Sequence, residues 1–233
     1  MTRRVLLKVS GEALGGESGS GLCASSLARL AEQVSRASSH VQIAIVVGAG
    51  NICRGQDWQG TSLPQPVADA IGMAATHVNA LAIHARLMIE GVASVVMGAG
   101  TPVPQVRPFE SMHGRKLLEG GTVVILSGGT GNPFFTTDTC ATLRAAELGC
   151  TEVLKATRVD GVYDKDPEKH ADAVKYDTLT FAEALNLKLR VMDSTAFTMC
   201  NDHGMDLRVF DMTPSGAVEK ALLGEPLGTL VQS

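Results

Sequence analysis

Near-continuous apolar runs alternate with segments of helical periodicity along the whole chain. Runs rich in β-branched residues and leucine predict seven strands, at residues 4–10, 41–47, 93–98, 122–128, 151–157, 207–212 and 228–233. Apolar residues at helical spacing predict helices over 25–37, 67–91, 109–121, 137–149 and 215–224. Strands that are apolar on both faces and alternate with helices indicate an α/β fold, a three-layer α/β/α sandwich with a mainly parallel central sheet. No linker or repeat interrupts this pattern, so residues 1–233 are predicted to form a single domain.

The composition is that of an ordinary globular protein, with 45% hydrophobic and 19% charged residues and a net charge of −4. That charge argues against a surface that recruits nucleic acid or acidic lipid. The five cysteines are scattered without a C-x-x-C pair, which favours neither a disulfide framework nor a zinc site. The basic start soon meets Lys8 and Glu12, and no apolar run is long enough to span a bilayer. We therefore expect a cytoplasmic protein that binds neither nucleic acid nor membranes.

Glycines cluster where predicted strands end: Gly11 after the first strand, Gly48 and Gly50 after the second, and 128–131 after the fourth. Ligands of parallel α/β sheets bind at the carboxyl ends of the strands. Glycine lets the backbone approach a ligand, and the N–H groups at a following helix start attract anions. Three such loops on one edge predict a long phosphate-rich ligand, or two ligands end to end.

The common nucleotide motifs only partly fit. The sequence has no G-x-x-x-x-G-K-[ST], which excludes a P-loop kinase. "GAGNIC" begins like a dinucleotide fingerprint, but Cys53 stands at its third glycine position. Asp69 then lies near the distance expected for a ribose-binding acid, so a Rossmann-type dehydrogenase is an alternative at this point.

Lys8 is a single cation between apolar residues at the end of the first strand, with Gly11 close behind. A lone strand lysine is more commonly a surface residue that buries only its aliphatic stem. Here, however, its ammonium would lie beside the first glycine loop. A cation at that place can neutralise the charge that moves between two phosphates during phosphoryl transfer.

Seven motifs, in order, resemble those of bacterial uridylate kinases, which belong to the amino-acid kinase superfamily. They are "LLKVSGEAL", "VVGAGNICRG", "DAIGMAATHVNALA", "GGTGNPFFTTD", "LKATRVDGVYDKDP", "VMDSTAFT" and "LRVFDM". The resemblance covers essentially the whole chain, and "GTGNPFFTTD" is its most specific part. It implies an amino-acid kinase-like fold that transfers the γ-phosphoryl group of Mg-ATP to UMP. It also implies a homohexamer activated by GTP and inhibited by UTP, although small residues replace bulkier ones over 15–24.

The same resemblance implies the residues of the site, with Mg²⁺ carried by ATP and no protein metal site. The catalytic residues would be Lys8, Arg54 and Asp138. The UMP site, mainly in the N-terminal part, would contain Ala49, Asp69, Thr130, Gly131, Asn132, Pro133, Phe134, Phe135, Thr136 and Thr137. The ATP site, mainly in the C-terminal part, would contain Lys8, Val9, Ser10, Gly11, Gly50, Arg54, Thr157, Tyr163 and Asp166.

Several of these residues also have a structural interpretation. Asp69 and Asp138 could be charges near helix N-termini, and Asp193 could cap the helix that would follow it. Phe134 and Phe135 are expected to pack within the protein rather than stack on a base. For the chain as a whole, the alternatives are a non-catalytic nucleotide-binding storage or regulatory protein, and a kinase acting on a carboxylate or carbamate.

Overall fold

The computed structural model describes residues 2–53, 58, 62–100, 102–167, 169–189 and 191–233. The strands are Arg4–Val9 (β1), Gln42–Val47 (β2), Ser94–Gly98 (β3), Arg107–Pro108 (β4), Val123–Ser127 (β5), Glu152–Thr157 (β6), Val162–Tyr163 (β7), Lys175–Tyr176 (β8), Thr178–Thr180 (β9), Asp206–Asp211 (β10) and Thr229–Gln232 (β11). The helices are Gly11–Leu14 (α1), Ala24–Ser38 (α2), Gln65–Ile89 (α3), Ser111–Glu119 (α4), Thr137–Leu148 (α5), Phe181–Asn186 (α6), Ser194–Asp202 (α7) and Ala217–Leu223 (α8), and a 3₁₀ turn covers Gly16–Ser18.

One sheet runs through the molecule in the order β4-β3-β5-β2-β1-β6-β10-β11-β9. Its neighbouring strands are parallel except for the antiparallel pair of β10 and β11. Strands β7 and β8 pair separately as a short antiparallel ribbon. All seven predicted strands are present, and the mainly parallel sheet is confirmed.

Two hydrophobic layers cover the two faces of the sheet. Along β1, Val5, Leu7 and Val9 pack with residues of α2, α3 and α8. Leu6 points to the opposite face, among residues of α4, α5, α6 and α7. Burial on both faces explains why the strands are apolar almost without interruption. The alternation along the strand places Lys8 on the face of Leu6, beneath α5.

Local capping groups set the helix boundaries. Helix α5 begins after Thr136, whose hydroxyl accepts the N–H groups of Asp138 and Thr139. Helix α4 was predicted to begin at Phe109, but it begins at Ser111 because the Glu110 carboxylate accepts the first free N–H groups. The five predicted helices are all present, and their boundaries differ from the predictions by a few residues.

Periodicity did not predict the shorter elements α1, α6, α7, β4, β7, β8 and β9, and only the capping residue Asp193 indicated α7. Most of them have fewer than seven residues, which is too short for a clear periodicity. Two of them, β7 and β8, lie within the polar segment 158–176. Among the helices that the structure describes, none combines the length and the apolar character needed to cross a bilayer.

Candidate active site

Gly11 allows the first two strand-end loops to touch. A Cβ atom there would lie only 2.6 Å from both the Asn51 side-chain oxygen and the Gly50 backbone nitrogen. Any larger residue would push the start of α1 away from the loop that follows β2. The glycine after β1 is therefore required by close packing of the site's own backbone.

A first cavity of about 710 Å³ lies beyond the carboxyl ends of β2 and β5. Its wall contains seven of the residues predicted to bind nucleotides: Ala49, Gly50, Asp69, Phe134, Phe135, Thr136 and Thr137. It also contains residues that the sequence analysis did not select: Glu12, Cys53, Gln65, Ala68, Gly72, Met73, Thr76 and Gly129. Gly50 was assigned to ATP, but it lies in this cavity because its strand, β2, is on the side of β5.

The loop after β5 forms the outer wall of this cavity. Gly128 has a φ of +75°, and a Cβ atom there would lie 2.2 Å from the Ala99 carbonyl oxygen, so only glycine fits. The Thr130 hydroxyl exchanges two 3.1 Å hydrogen bonds with the backbone of Asn132. The positions 130–133 form this turn and do not line the cavity.

Asp69 joins α3 to the same loop. Its Oδ1 accepts a 2.7 Å hydrogen bond from the Gln65 side chain, and its Oδ2 accepts one of 2.8 Å from the Phe134 N–H. Asp69 is the fifth residue of α3, so it lies near the helix N-terminus, one position beyond the first turn. Its carboxylate faces the cavity and the loop.

The two phenylalanines of the loop are not packed in the protein. Phe134 is 71% exposed and Phe135 is 50% exposed, which contradicts the expected packing role. Phe134 also has a φ of +71°, a left-handed conformation that is unfavourable for an aromatic residue. The Asp69 contact to its N–H group holds the backbone in this conformation. Both rings line the first cavity and are available to a ligand there.

A second cavity of about 540 Å³ lies beyond β6. Thr157, Tyr163 and Asp166, the residues predicted to contact the ATP nucleoside, all line it. The sequence analysis missed other residues that line it, among them Lys155, Leu187, Lys188, Leu189, Val191 and Val209. The aliphatic residues provide apolar surface of the kind that covers a planar base.

Lys8, Asp138 and Lys155 form a charged cluster between the two cavities. Lys8 Nζ is 3.0 Å from Asp138 Oδ1, and Lys155 Nζ is 2.7 Å from Asp138 Oδ2. The two lysines are register partners on the adjacent strands β1 and β6. Asp138 reaches both because it occupies the second position of α5. The three side chains are only 14%, 14% and 15% exposed.

The electrostatics of this cluster favour the charged state of Asp138. Burial alone would raise the pKa of Asp138, but the ammonium groups of Lys8 and Lys155 together hold that pKa below its ordinary value. Burial lowers the pKa of Lys155; the Asp138 carboxylate opposes this change, while the charge of Lys8 adds to it. One carboxylate is thus shared between two cations at the centre of the site.

The remaining predicted residues lie near this cluster or outside the residues that the structure describes. Val9, Ser10 and Gly11 connect Lys8 to α1 and line neither cavity. Ala49, where glycine was expected, does not have a positive φ, so alanine leaves the backbone unstrained. Arg54, predicted to contact phosphates, lies outside the described residues.

Asp193 acts as the N-cap of α7, with Oδ1 accepting the Ala196 N–H at 3.0 Å. The same oxygen accepts the Thr139 hydroxyl at 2.8 Å, and Oδ2 accepts the Thr136 hydroxyl. The capping interpretation of Asp193 is therefore confirmed. In addition, the carboxylate ties α7 to the start of α5, where Asp138 lies.

Acidic groups at this site are engaged by protein donors. Over the ranges that the structure describes, no group of three or more His, Cys, Asp or Glu side chains could hold a metal ion. The site offers cations, hydroxyls and backbone N–H groups. These groups fit phosphates, with any Mg²⁺ held chiefly by phosphate oxygens and water, as is usual for that ion.

Comparison with known proteins identifies the family of this α/β fold, whose mainly parallel sheet has charged side chains between two cavities. The sequence model of the "Amino acid kinase family" matches residues 3–211. The chain belongs to the amino acid kinase family.

Individual relatives are uridylate kinases by name. The chain is 45% identical to "Uridylate kinase" of Alcanivorax borkumensis over 231 residues, which is 99% of this chain and 92% of that relative. The crystal structure of UMP kinase from Ureaplasma parvum matches with a TM-score of 0.95 at 34% identity, covering 100% of both chains. UMP kinase from Bacillus anthracis matches with a TM-score of 0.94 at 30% identity, covering 99% of this chain and 96% of that one.

The dehydrogenase alternative does not fit the geometry. A dinucleotide fingerprint requires the helix to begin within the glycine stretch, so that its N-terminus meets the pyrophosphate. Here Asn51 and Ile52 are in a turn, and α3 begins only at Gln65. The strand order also differs from the 3-2-1-4-5-6 arrangement of that fold.

Proposed function

We propose that this chain transfers the γ-phosphoryl group of ATP to UMP, giving ADP and UDP. The reaction belongs to pyrimidine nucleotide biosynthesis, and we place it in the cytoplasm. The observation that carries the proposal is the Lys8–Asp138–Lys155 cluster between two cavities of nucleotide size. The named relatives at 45%, 34% and 30% identity support UMP as the acceptor.

The first cavity has the groups that UMP requires. Asp69 offers carboxylate oxygens for the ribose hydroxyls, and the Thr136 and Thr137 side chains and loop N–H groups suit the phosphate. The exposed rings of Phe134 and Phe135 can cover the uracil. Since Oδ2 of Asp69 already accepts the Phe134 N–H, binding of the ribose requires the loop and the carboxylate to adjust together.

Transfer in this site needs no general base. The attacking oxygen belongs to a phosphate monoester with a second pKa of about 6, so it is largely deprotonated at neutral pH. The protein has to bring two polyanions together in line and reduce their repulsion. Lys8, next to the Gly11 loop and between the cavities, is the group that we place against the transferred phosphoryl.

We propose that Mg²⁺ enters with ATP. When bound, the ion neutralises phosphate charge and orients the β- and γ-phosphates. In this account, Lys8 and Lys155 neutralise the remaining charge, and the apolar wall around Leu187 and Leu189 holds the base of the donor nucleotide.

The proposal is tested by ADP formation from Mg-ATP with UMP, CMP, dUMP, AMP and GMP as acceptors. We expect rapid ADP formation with UMP and rates at least tenfold lower with the others. Turnover of CMP at a rate similar to that of UMP would support a kinase but contradict its specificity for uracil. ATP binding without turnover on any acceptor would contradict the proposal and favour a storage or regulatory protein.

We also propose that the chain assembles as a homohexamer. Val67, Ile71, Val78, Met88 and Ile89 form an exposed apolar stripe along α3. A patch of this kind is typical of a surface that another protein covers. Light scattering should give a mass six times the 24.4 kDa of the chain. A monomeric mass at micromolar protein concentration would contradict the proposed homohexamer.

We further propose that GTP and UTP regulate the chain, because the segment 15–24 contacts the site. Gly21 exchanges two hydrogen bonds with Asn51, of 2.8 and 2.6 Å, on the loop that lines the first cavity. A change in that segment can therefore move the loop. We expect GTP to raise and UTP to lower the initial rate of ADP formation. An initial rate that neither nucleotide changes would contradict the proposed regulation.

A further inference from the structure

A pair of buried asparagines lies directly behind the wall of the first cavity. Asn79, on α3, is 0% exposed, and Asn51, in the turn that follows β2, is 4% exposed. Neither side chain lines the cavity itself. Asparagine is mostly found at protein surfaces, so two buried amide side chains in contact require a physical reason.

The hydrogen bonds of this amide pair are complete. Asn51 Nδ2 donates to Asn79 Oδ1 at 3.0 Å, and Asn79 Nδ2 donates to Asn51 Oδ1 at 2.7 Å. Each amide nitrogen has a second donor. That of Asn51 binds the Gly21 carbonyl oxygen at 2.6 Å, and that of Asn79 binds the Gly48 carbonyl oxygen at 2.7 Å. A buried polar network that is fully satisfied in this way rigidifies its neighbours in one arrangement.

Asn79 holds the end of β2 next to the cavity. The carbonyl oxygen that it binds belongs to Gly48, and the two residues that follow, Ala49 and Gly50, line the cavity. Two glycines in three residues give this backbone a wide choice of conformations. A donor on the long helix α3 restricts that choice. Asn79 therefore sets the position of the wall without touching a ligand.

Asn51 extends the same restraint to two other segments. A Cβ atom at Gly11 would lie 2.6 Å from Asn51 Oδ1, so the start of α1 packs directly against the amide. Gly21, within the segment 15–24, exchanges two hydrogen bonds with Asn51. The amide pair thus connects α3, the loop after β2, the start of α1 and the segment 15–24.

Helix α3 also holds the other loop of the first cavity, from a neighbouring position. Thr76 lies three residues before Asn79 and so on the same side of the helix. Its hydroxyl accepts the Gly128 N–H at 2.7 Å, at the start of the loop after β5. One turn of α3 therefore binds the loops that follow both β2 and β5, and it fixes their separation.

We propose that Asn79 is a positioning residue for the acceptor nucleotide, which acts through Asn51 and the Gly48 carbonyl oxygen on the wall of the first cavity. The inference rests on the UMP site proposed above. The amide pair holds the backbone of Ala49 and Gly50 in the conformation that receives UMP, so that binding does not have to order it. Such preorganisation contributes to affinity, and a displacement of about 1 Å in a site can reduce the rate by about 10²-fold.

The test is the Asn79→Ala variant, which removes the donors to the Gly48 carbonyl oxygen and to Asn51 Oδ1. We expect the Kd of UMP, measured by calorimetry, to rise by roughly tenfold or more, and kcat/KM for UMP to fall by roughly 10–100-fold. The Kd of ATP should stay within about twofold of wild type, because the second cavity does not depend on this loop.

The matched control is Gln33→Ala, on α2. Gln33 is also a buried amide, 6% exposed, and it accepts the Val218 N–H at 3.0 Å at the start of α8. It lines neither of the two cavities in which we place the nucleotides. Gln33→Ala should melt at a lower temperature than wild type, as Asn79→Ala should, and keep the wild-type Kd of UMP.

A second variant, Asn51→Ala, removes the pair from the side of the loop and leaves the packing of α3 in place, so it serves where Asn79→Ala does not fold. It should weaken UMP binding by a similar factor. Because the two residues act as a unit, the double variant should bind UMP within about threefold of the weaker single variant.

Three results would overturn the role of Asn79. They are a Kd of UMP that neither single variant changes despite lower melting temperatures, an equal loss of affinity for ATP and UMP, and single effects that multiply in the double variant. Wild-type protein that binds UMP without turnover would overturn the proposed function alone, because the Kd values would still decide the role of Asn79. Wild-type protein that does not bind UMP would overturn both.

Discussion

Asp69 connects two parts of the first cavity through its two carboxylate oxygens. One oxygen holds Gln65 within α3, and the other holds the backbone of Phe134 in the loop after β5. A ribose bound there would compete for the same oxygens. We therefore propose that Asp69 affects both the affinity for the acceptor and the shape of the loop.

The Asp69→Asn variant should affect the acceptor and not the donor. Asparagine keeps one acceptor oxygen and loses the charge, and a hydrogen bond to a charged group contributes about 1.5–3 kcal/mol. We expect KM for UMP to rise by roughly 10–100-fold and KM for ATP to stay within about twofold, as measured by steady-state kinetics. Asp202→Asn, at the exposed end of α7, is the control. An equal change in both KM values would remove Asp69 from the acceptor site.

Asp138 gives the protein a specific dependence of stability on pH. Its pKa in the folded state lies below the ordinary value of 3.8, so its contribution is present above that value and is lost as the pH falls through the folded pKa. Replacing it leaves two buried cations unpaired, at a cost of about 3 kcal/mol or more. We expect Asp138→Asn to melt at a lower temperature than wild type at pH 7.

The difference in melting temperature between wild type and Asp138→Asn should become smaller in acid. Melting temperatures of both proteins, measured by calorimetry from pH 7 to pH 3, should differ by a constant amount down to about pH 5 and then converge in acid. A difference that stayed constant through pH 3, or grew there, would mean that the Asp138 carboxylate does not stabilise the fold through its charge.

The sequence carried a signal for Lys155 that was not used. "RVLLKVS" and "TEVLKAT" each place one lysine at the same distance from the start of an apolar strand. The glycine loop after β1 drew attention to Lys8, whereas no glycine directly follows β6. That the two strands are neighbours in register is a long-range property, which local patterns do not contain.

At the scale of elements, the ends of helices position the site. Thr136 caps α5 and so fixes Asp138 in the first turn, and Asp193 caps α7 while accepting the hydroxyls of Thr136 and Thr139. These short-range bonds bring the cluster of Lys8, Asp138 and Lys155 under the N-terminus of α5. The helix dipole there adds to the positive potential between the cavities.

Helix α4, which does not line either cavity, tests the importance of capping without disturbing the site. Glu110 accepts the N–H groups of Met112 and His113 at 2.9 and 2.6 Å. Glu110→Ala should lower the free energy of unfolding by about 1 kcal/mol, measured by urea denaturation, with kcat unchanged. Glu119→Ala, which removes only an exposed pair with Arg4, should cost less. Equal losses in the two variants would contradict the capping role of Glu110.

Periodicity predicted the long elements well because their burial follows the pattern of the core. The seven predicted strands and the five predicted helices are all present. Helix α7 was indicated only by Asp193, a capping signal before "STAF", because its nine residues of mixed polarity show no clear apolar face. The β7–β8 ribbon was missed because its pairs form across a turn-rich segment with only two residues on each side.

At the scale of the whole molecule, one mainly parallel sheet places the two cavities along the same edge. The strands β2 and β5 lie at the first cavity, and β6 and β10 lie at the second, with β1 between them. With UMP proposed in the first cavity and ATP in the second, this order matches the predicted division of the chain. The positions of Phe134 and Phe135 could not be predicted, because a loop's exposure depends on whether a ligand or the protein covers it.

Transfer of labelled phosphate tests the central claim most directly. The protein is incubated with [γ-³²P]ATP, Mg²⁺ and UMP, and the products are separated by chromatography. The account predicts that the label appears in UDP, in an amount equal to the ADP formed, and that Lys8→Met abolishes this transfer while remaining folded. Label released only as inorganic phosphate, label retained on the protein, or undiminished transfer by Lys8→Met would contradict it.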